Sequence, residues 1–189
     1  MRLFVAVTID ADVVGCISRS VDELRARVAA RAPRARVRWV PGEQLHLTVR
    51  FIGEANETQA VSIATVLAPA LPLERFQLVF RGLGVFPERG APRVFWAGIA
   101  AGAEQLAAVE ADVTKRLEEC GIAPDSRAYR PHVTLARVKD AAGLRVRGLF
   151  DGLADRAFGL SAVDAITLFE SRQSSDGSVY VPLQSTRLE

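Results

Sequence analysis

The sequence predicts an α+β fold built on a pseudo-two-fold repeat. Three observations point there. Short β-rich segments alternate with amphipathic helical segments, but the links are irregular and the C-terminus reads as a hairpin, unlike a doubly wound parallel sheet. The tetrad His46-Leu47-Thr48-Val49 returns as His132-Val133-Thr134-Leu135. Each copy also follows a strand and a helix, as an internal duplication would.

Taken in order, Arg2 to Ile9 alternates and reads as a strand. Asp10 or Asp12 is placed to cap a helix running to about Arg31, with Val14, Ile17, Val21, Leu24 and Val28 at helical spacing. Arg34 to Val40 alternates again, and Pro41-Gly42 is a turn. Leu45 to Ile52 is the next strand. Leu45, Leu47, Val49 and Phe51 are expected on one face, with His46, Thr48 and Arg50 on the other. Asn56 or Thr58 starts a helix through Val61, Ile63, Ala64 and Leu67, which stops near Pro69. Phe76 to Phe80 is a strand. Arg81 to Pro92 is a Gly/Pro-rich loop in which Leu83 to Phe86 has pairing character.

Arg93 to Ile99 is a strand, and Ala103 to Cys120 a helix that buries Leu106, Val109, Val113 and Leu117 and is closed by Gly121. Pro131 to Val138 is the second tetrad strand. A short helix is expected over Ala141 to Leu153. Phe158 to Ser171 is largely strand, Ser174 to Gly177 a turn, and Val179 to Leu183 the last strand.

Composition narrows the function. The 189 residues carry a net charge of +2, with 49% hydrophobic and 24% charged residues, which excludes disorder. No apolar run is long enough for a membrane-spanning helix, and Met1 to Ile9 reads as a strand rather than a leader. Cys16 and Cys120 stand alone, so a reduced cytoplasmic setting is expected. Of 24 basic residues all but Lys115 and Lys139 are arginine.

The chain has only two histidines and eight threonines, and both histidines have a threonine two positions on. Residues i and i+2 share a strand face, so each imidazole projects beside a hydroxyl while the apolar residues anchor the strand. Two such pairs supply one group to take a proton, one to give it, and two hydroxyls for the anion between them. This fits a phosphodiester reaction in which water enters on one side and an alkoxide leaves on the other. Two histidines alone do not close a zinc site, and no carboxylate or thiolate cluster completes one. Gly82-Leu83-Gly84 is not a phosphate loop, because no Lys-Ser/Thr follows.

The paired tetrads and their flanks resemble the 2H phosphoesterase superfamily, and within it the RNA 2′,3′-cyclic phosphodiesterases, formerly called 2′-5′ RNA ligases. The resemblance runs over nearly the whole chain. It includes Met1-Arg2-Leu3-Phe4-Val5-Ala6-Val7, Trp39-Val40 and Leu45 to Gly53. It continues through Gly82 to Pro87, Pro92 to Gly98, Tyr129 to Arg137 and Leu168 to Ser171. Val49 departs mildly from the family's commoner leucine.

The resemblance implies one domain over residues 1–189, made of two lobes whose antiparallel sheets face a central cleft, with helices outside. It implies hydrolysis of an RNA 2′,3′-cyclic phosphate to a 2′-phosphate without metal or other cofactor. It gives His46 the role of proton donor and His132 that of proton acceptor, with Thr48 and Thr134 on the phosphate. RNA ending in a 2′,3′-cyclic phosphate is the expected partner, and a monomer the expected state.

Arg130 and Arg50 are candidates to neutralise the phosphate, with Arg137 a weaker one. Arg25, Arg27, Arg31, Arg34, Arg36 and Arg38 form a basic cluster that an RNA tail could follow. Phe4, Phe86 and Trp96 are weighed as base-stacking groups or as core. Three readings stay open besides the first: another cyclic phosphate or a 2′-5′ linkage as substrate, 2′-5′ RNA ligation, and an RNA-end binding module without turnover.

Overall fold

A computed structural model describes residues 1–174 and 177–189. Its strands are β1 (Arg2–Thr8), β2 (Arg36–Trp39), β3 (His46–Glu54), β4 (Phe76–Phe86), β5 (Val94–Ala101), β6 (Val133–Asp140), β7 (Ala157–Val163), β8 (Ala165–Ser174) and β9 (Gly177–Arg187). Its helices are α1 (Ala11–Arg31), α2 (Glu57–Leu67) and α3 (Ala103–Glu118), with one 3-10 turn at Gly42–Gln44.

The strands are ordered β7-β4-β5-β6-β3-β1-β8-β9, and β2 adds to β6. Every paired strand in this order is antiparallel. The two lobes, β6-β5-β4-β7 and β3-β1-β8-β9, meet at the pair Leu47↔Val133, the sole rung between β3 and β6 among the described residues. Both residues are fully buried. They occupy the same position of the two tetrads, so the pseudo-two-fold axis passes between them.

The repeat is exchanged in space. β1 and β3 lie in one lobe and β5 and β6 in the other. However, β4 of the first repeat pairs with β5, and β8 of the second pairs with β1. The helices cross over as well: α1 packs against β7, whereas α3 packs against β3 and α2. Polar ties follow the crossing. The Arg156 guanidinium meets the Glu23 carboxylate of α1 at 2.7 Å, and Arg116 of α3 donates to the carbonyl of Ala70 at 2.9 Å.

Local sequence explains most of these elements. Asn56 caps α2 in a capping box with Gln59, closing two backbone donors that the first turn would leave unpaired. The α3 face is as expected, with Leu106, Val109, Val113 and Leu117 buried, but the helix ends at Glu118.

Several expectations are corrected. In α1, Val13 rather than Val14 is fully buried, and in α2 Val61 is exposed while Ala60, Ile63 and Leu67 face inward. The supposed loop from Arg81 is the second half of β4, which pairs through Phe86. Gly84 lies there because a Cβ would stand 2.2 Å from the Trp96 ring. Residues 141–153 form turns, not a helix. Gly143, Gly148 and Gly152 adopt φ of +75°, +69° and +71°, breaking the helical path every few residues. Leu144, Leu149 and Leu153 still reach the core. Phe158 to Ser171 divides at Asp164 into β7 and β8, which join opposite lobes. The centre of the expected turn at 174–177 lies outside the described residues.

Candidate active site

The antiparallel rung Leu47↔Val133 sets the arrangement of the four polar residues. Leu47 and Val133 point into the core, so their neighbours on both strands point to the opposite face. His46 therefore projects toward Thr134, and Thr48 toward His132. All four side chains are half-buried.

Each imidazole is tied in the same way. His46 Nδ1 lies 2.8 Å from the carbonyl oxygen of Gln44, and His132 Nδ1 lies 2.7 Å from that of Arg130. A carbonyl only accepts, so Nδ1 carries the proton in both rings. The neutral ring then presents a bare Nε2, and the charged ring a donor. Burial holds both histidines below their ordinary value; the carbonyl bond opposes this in each, and the Arg137 charge adds to the lowering. One cation thus acts on both imidazoles.

A repeated β-bulge shapes the rest. Between Val5↔Arg50 and Ala6↔Thr48, Val49 has no opposite residue. Between Phe95↔Ala136 and Trp96↔Thr134, Leu135 has none. Each bulge falls three residues after the histidine and reverses the alternation. Position +4 becomes buried, in Arg50 and Ala136, and position +5 faces out, in Phe51 and Arg137.

This corrects the placement of Arg50 and Phe51. Arg50 does not share the face of His46. It is 6% exposed, donates to the Ala123 carbonyl, and faces the Glu110 carboxylate at 3.8 Å. Phe51 lies out of the core and under the Arg2 guanidinium, 5.0 Å from its ring centre.

His46, Thr48, Thr134, Phe51 and Arg137 line a cleft of about 650 Å³. His132 is not among the residues that line it; its ring stands edge-on to Phe86 at 5.3 Å. Phe86 and the exposed Arg130 belong to a neighbouring open depression of about 850 Å³. Of the three arginine candidates, Arg137, the weaker one in the sequence, is thus the one that lines the cleft, and Arg130 lines the neighbouring depression.

Of the aromatic candidates, Phe4 is buried yet packs 5.0 Å from the His46 ring, where Tyr180 also closes in at 5.0 Å. Phe86 is half-buried, with Trp96 beneath it at 5.1 Å. Tyr129 is a residue that sequence reasoning quoted but gave no role. Its hydroxyl donates to the Thr48 carbonyl at 3.1 Å, and burial together with the Glu110 carboxylate pushes its phenol well above the usual range. Among the described residues, no three His, Cys, Asp or Glu side chains cluster as a metal site requires, and no helix is long and apolar enough to cross a membrane.

Two antiparallel lobes about a dyad, with one His-x-Thr on each central strand, define a phosphoesterase of the two-histidine class. The chain belongs to the 2′-5′ RNA ligase superfamily, whose family model matches residues 16–174. It is 36% identical over 152 residues to the RNA 2′,3′-cyclic phosphodiesterase of Aeropyrum pernix, covering 80% of this chain and 86% of that one. It is 29% identical over 170 residues to the same-named protein of Aquifex aeolicus, covering 88% and 90%. A crystal structure from Thermus thermophilus superposes with a TM-score of 0.73 at 29% identity, over 100% of this chain and 98% of that one. Escherichia coli LigT complexed with 3′-AMP shares the fold, with a TM-score of 0.75 at 22% identity over 99% and 97%.

Proposed function

We propose that this protein hydrolyses RNA 2′,3′-cyclic phosphate ends to 2′-phosphates by paired histidine acid–base catalysis, with no metal. The observation that carries this reading is the seam itself: two His-x-Thr pairs on adjacent strands, each imidazole oriented by the carbonyl two residues before it. The names of the relatives add support.

The roles follow from the resemblance and from the chemistry of the groups. His132, neutral, takes a proton from water through Nε2 as the water oxygen bonds to phosphorus. The bond from phosphorus to the 3′-oxygen breaks. His46, charged, gives its Nε2 proton to that oxygen. The product carries a 2′-phosphate and a 3′-hydroxyl. Both histidines have then exchanged protonation state, and solvent restores them.

Thr48 and Thr134 donate to the non-bridging oxygens and fix the phosphorus between the rings. Arg137 lies in the cleft, where its charge offsets that of the phosphate. Arg130 acts from the neighbouring depression.

The test is incubation of a short RNA ending in a 2′,3′-cyclic phosphate in the presence of EDTA, with the product identified by phosphorus NMR. A 2′-phosphate is expected from the wild type. His46→Ala and His132→Ala should each lose activity by about 10²–10⁴-fold while keeping their circular dichroism. Full activity in either variant, or a 3′-phosphate product, sinks the reading.

A further inference from the structure

The basic cluster that the sequence shows between Arg25 and Arg38 is divided by the fold. Arg25 lies over the Trp39 ring at 5.4 Å. Arg27 binds Glu23 and the carbonyls of Leu149 and Asp151. Arg36 faces Asp140 across the β2–β6 ladder at 3.6 Å. Arg38 alone of the six lines the cleft, together with Arg2, Arg137 and Lys139.

No carboxylate lines the cleft among the described residues, and none there forms an ion pair with these four cations. Arg38 stands directly opposite Arg137 on the neighbouring strand. Like charges in that position work against the sheet. A row of three cations, held side by side on β2 and β6 without a counter-charge among the described residues, is what an anionic ligand would stabilise.

The row also has a direction. Arg137 acts electrostatically on both histidines, so it marks the end at the reacting phosphate. Lys139 lies two residues further along β6, about 6.6 Å of strand, which is on the order of one nucleotide step. Arg38, level with Arg137 on β2, stands diagonally across from it. Beyond them Arg36 is neutralised by Asp140, so the uncompensated charge stops there.

We propose that Arg38 and Lys139 form a second anion subsite, which holds the phosphodiester immediately upstream of the reacting end. The ligand of this cleft is then a strand of RNA, not a free cyclic nucleotide. This rests on the function proposed above for the His/Thr seam, and deepens it by naming the residues that hold the nucleotide before the reacting end.

The test is binding, measured apart from turnover. The probes are an RNA trinucleotide ending in a 2′-phosphate and a nucleoside 2′-phosphate, each titrated over a range of salt. The proteins are the wild type and Arg38→Gln/Lys139→Gln, two positions outside the catalytic groups. The double variant should bind the trinucleotide about tenfold more weakly. Its slope of log affinity against log salt should fall by about 0.7, for the one phosphate that the two side chains neutralise on a single strand. Its affinity for the nucleoside 2′-phosphate should be unchanged.

Equal weakening for both probes, unchanged trinucleotide binding, or a wild type that binds both probes alike would each overturn the subsite. Absence of hydrolysis by a wild type that shows the length and salt dependence would overturn the catalytic reading and leave the subsite standing.

Discussion

Phe51 and Arg137 occupy one and the same position of the two repeats, five residues after the histidine, and both line the cleft. They reach it because each tetrad strand carries a bulge at its third residue after the histidine. A dyad-related site built from identical halves would treat both ends of a ligand alike. This one sets an aromatic ring on one side and a guanidinium on the other. The cleft therefore has a polarity, although its two His/Thr pairs are held alike.

The two imidazoles should give a bell-shaped pH profile placed low. Burial and Arg137 hold both below the ordinary value of about 6.5. The productive form has one ring charged and one neutral, so kcat/KM should peak on the acid side of that value and decline toward alkaline pH. A bound phosphate favours the charged ring, so the alkaline limb of kcat should lie higher than that of kcat/KM. Profiles of both parameters on a cyclic-phosphate RNA check this, and an optimum on the alkaline side of neutrality would contradict it.

Replacing Arg50 should cost stability before it costs chemistry. The side chain is almost wholly buried against Glu110 and the Ala123 carbonyl. Arg50→Met leaves the Glu110 carboxylate with only the Thr114 hydroxyl, 2.7 Å away, and strips the Ala123 carbonyl of its donor, so a loss of about 1–3 kcal/mol is expected. Arg50→Met/Glu110→Leu should recover much of it. Denaturant unfolding of the two variants makes the comparison; an Arg50→Met protein as stable as wild type would refute the account.

Tyr129 precedes His132 by three residues and donates to Thr48, so it braces one tetrad against the other. Tyr129→Phe removes one bond, worth about 0.5–1.5 kcal/mol. The expected result is a several-fold fall in kcat with KM little changed, since the hydroxyl touches the backbone of Thr48 and not the ligand. A change confined to KM would argue for a direct contact instead.

Gly84→Ala is expected to act at a distance. Its new methyl would lie 2.2 Å from the Trp96 ring, so the ring must move. Overpacking of this kind costs about 1–3 kcal/mol. Trp96 supports Phe86, and Phe86 abuts His132, so activity should fall together with stability. Tryptophan emission and thermal unfolding, read beside turnover, will show whether the three move together.

Much of this was legible in the residues. The paired tetrads, the strands that carry them and the buried faces of α3 follow from spacing alone. The bulges do not. Leu45, Leu47, Val49 and Phe51 alternate without fault, and only the second copy shows otherwise, by placing a charge where the first has Phe51. The turns of residues 141–153 were hidden for a different reason. Leu144, Leu149 and Leu153 have nearly helical spacing, and the left-handed glycines between them decide the outcome. Arg50 and Arg137 exchange importance for the same cause as Phe51, because a single unpaired residue reverses everything after it.

The exchange of strands between repeats has a consequence for the order of assembly. β1 leaves the ribosome more than 150 residues ahead of β8, the partner on its outer edge. Tyr180, which closes against His46, belongs to β9. Pairings so distant in the chain form late. The first tetrad is therefore synthesised well before it is surrounded, and a nascent chain carries no finished cleft until the β8–β9 hairpin has folded back onto β1.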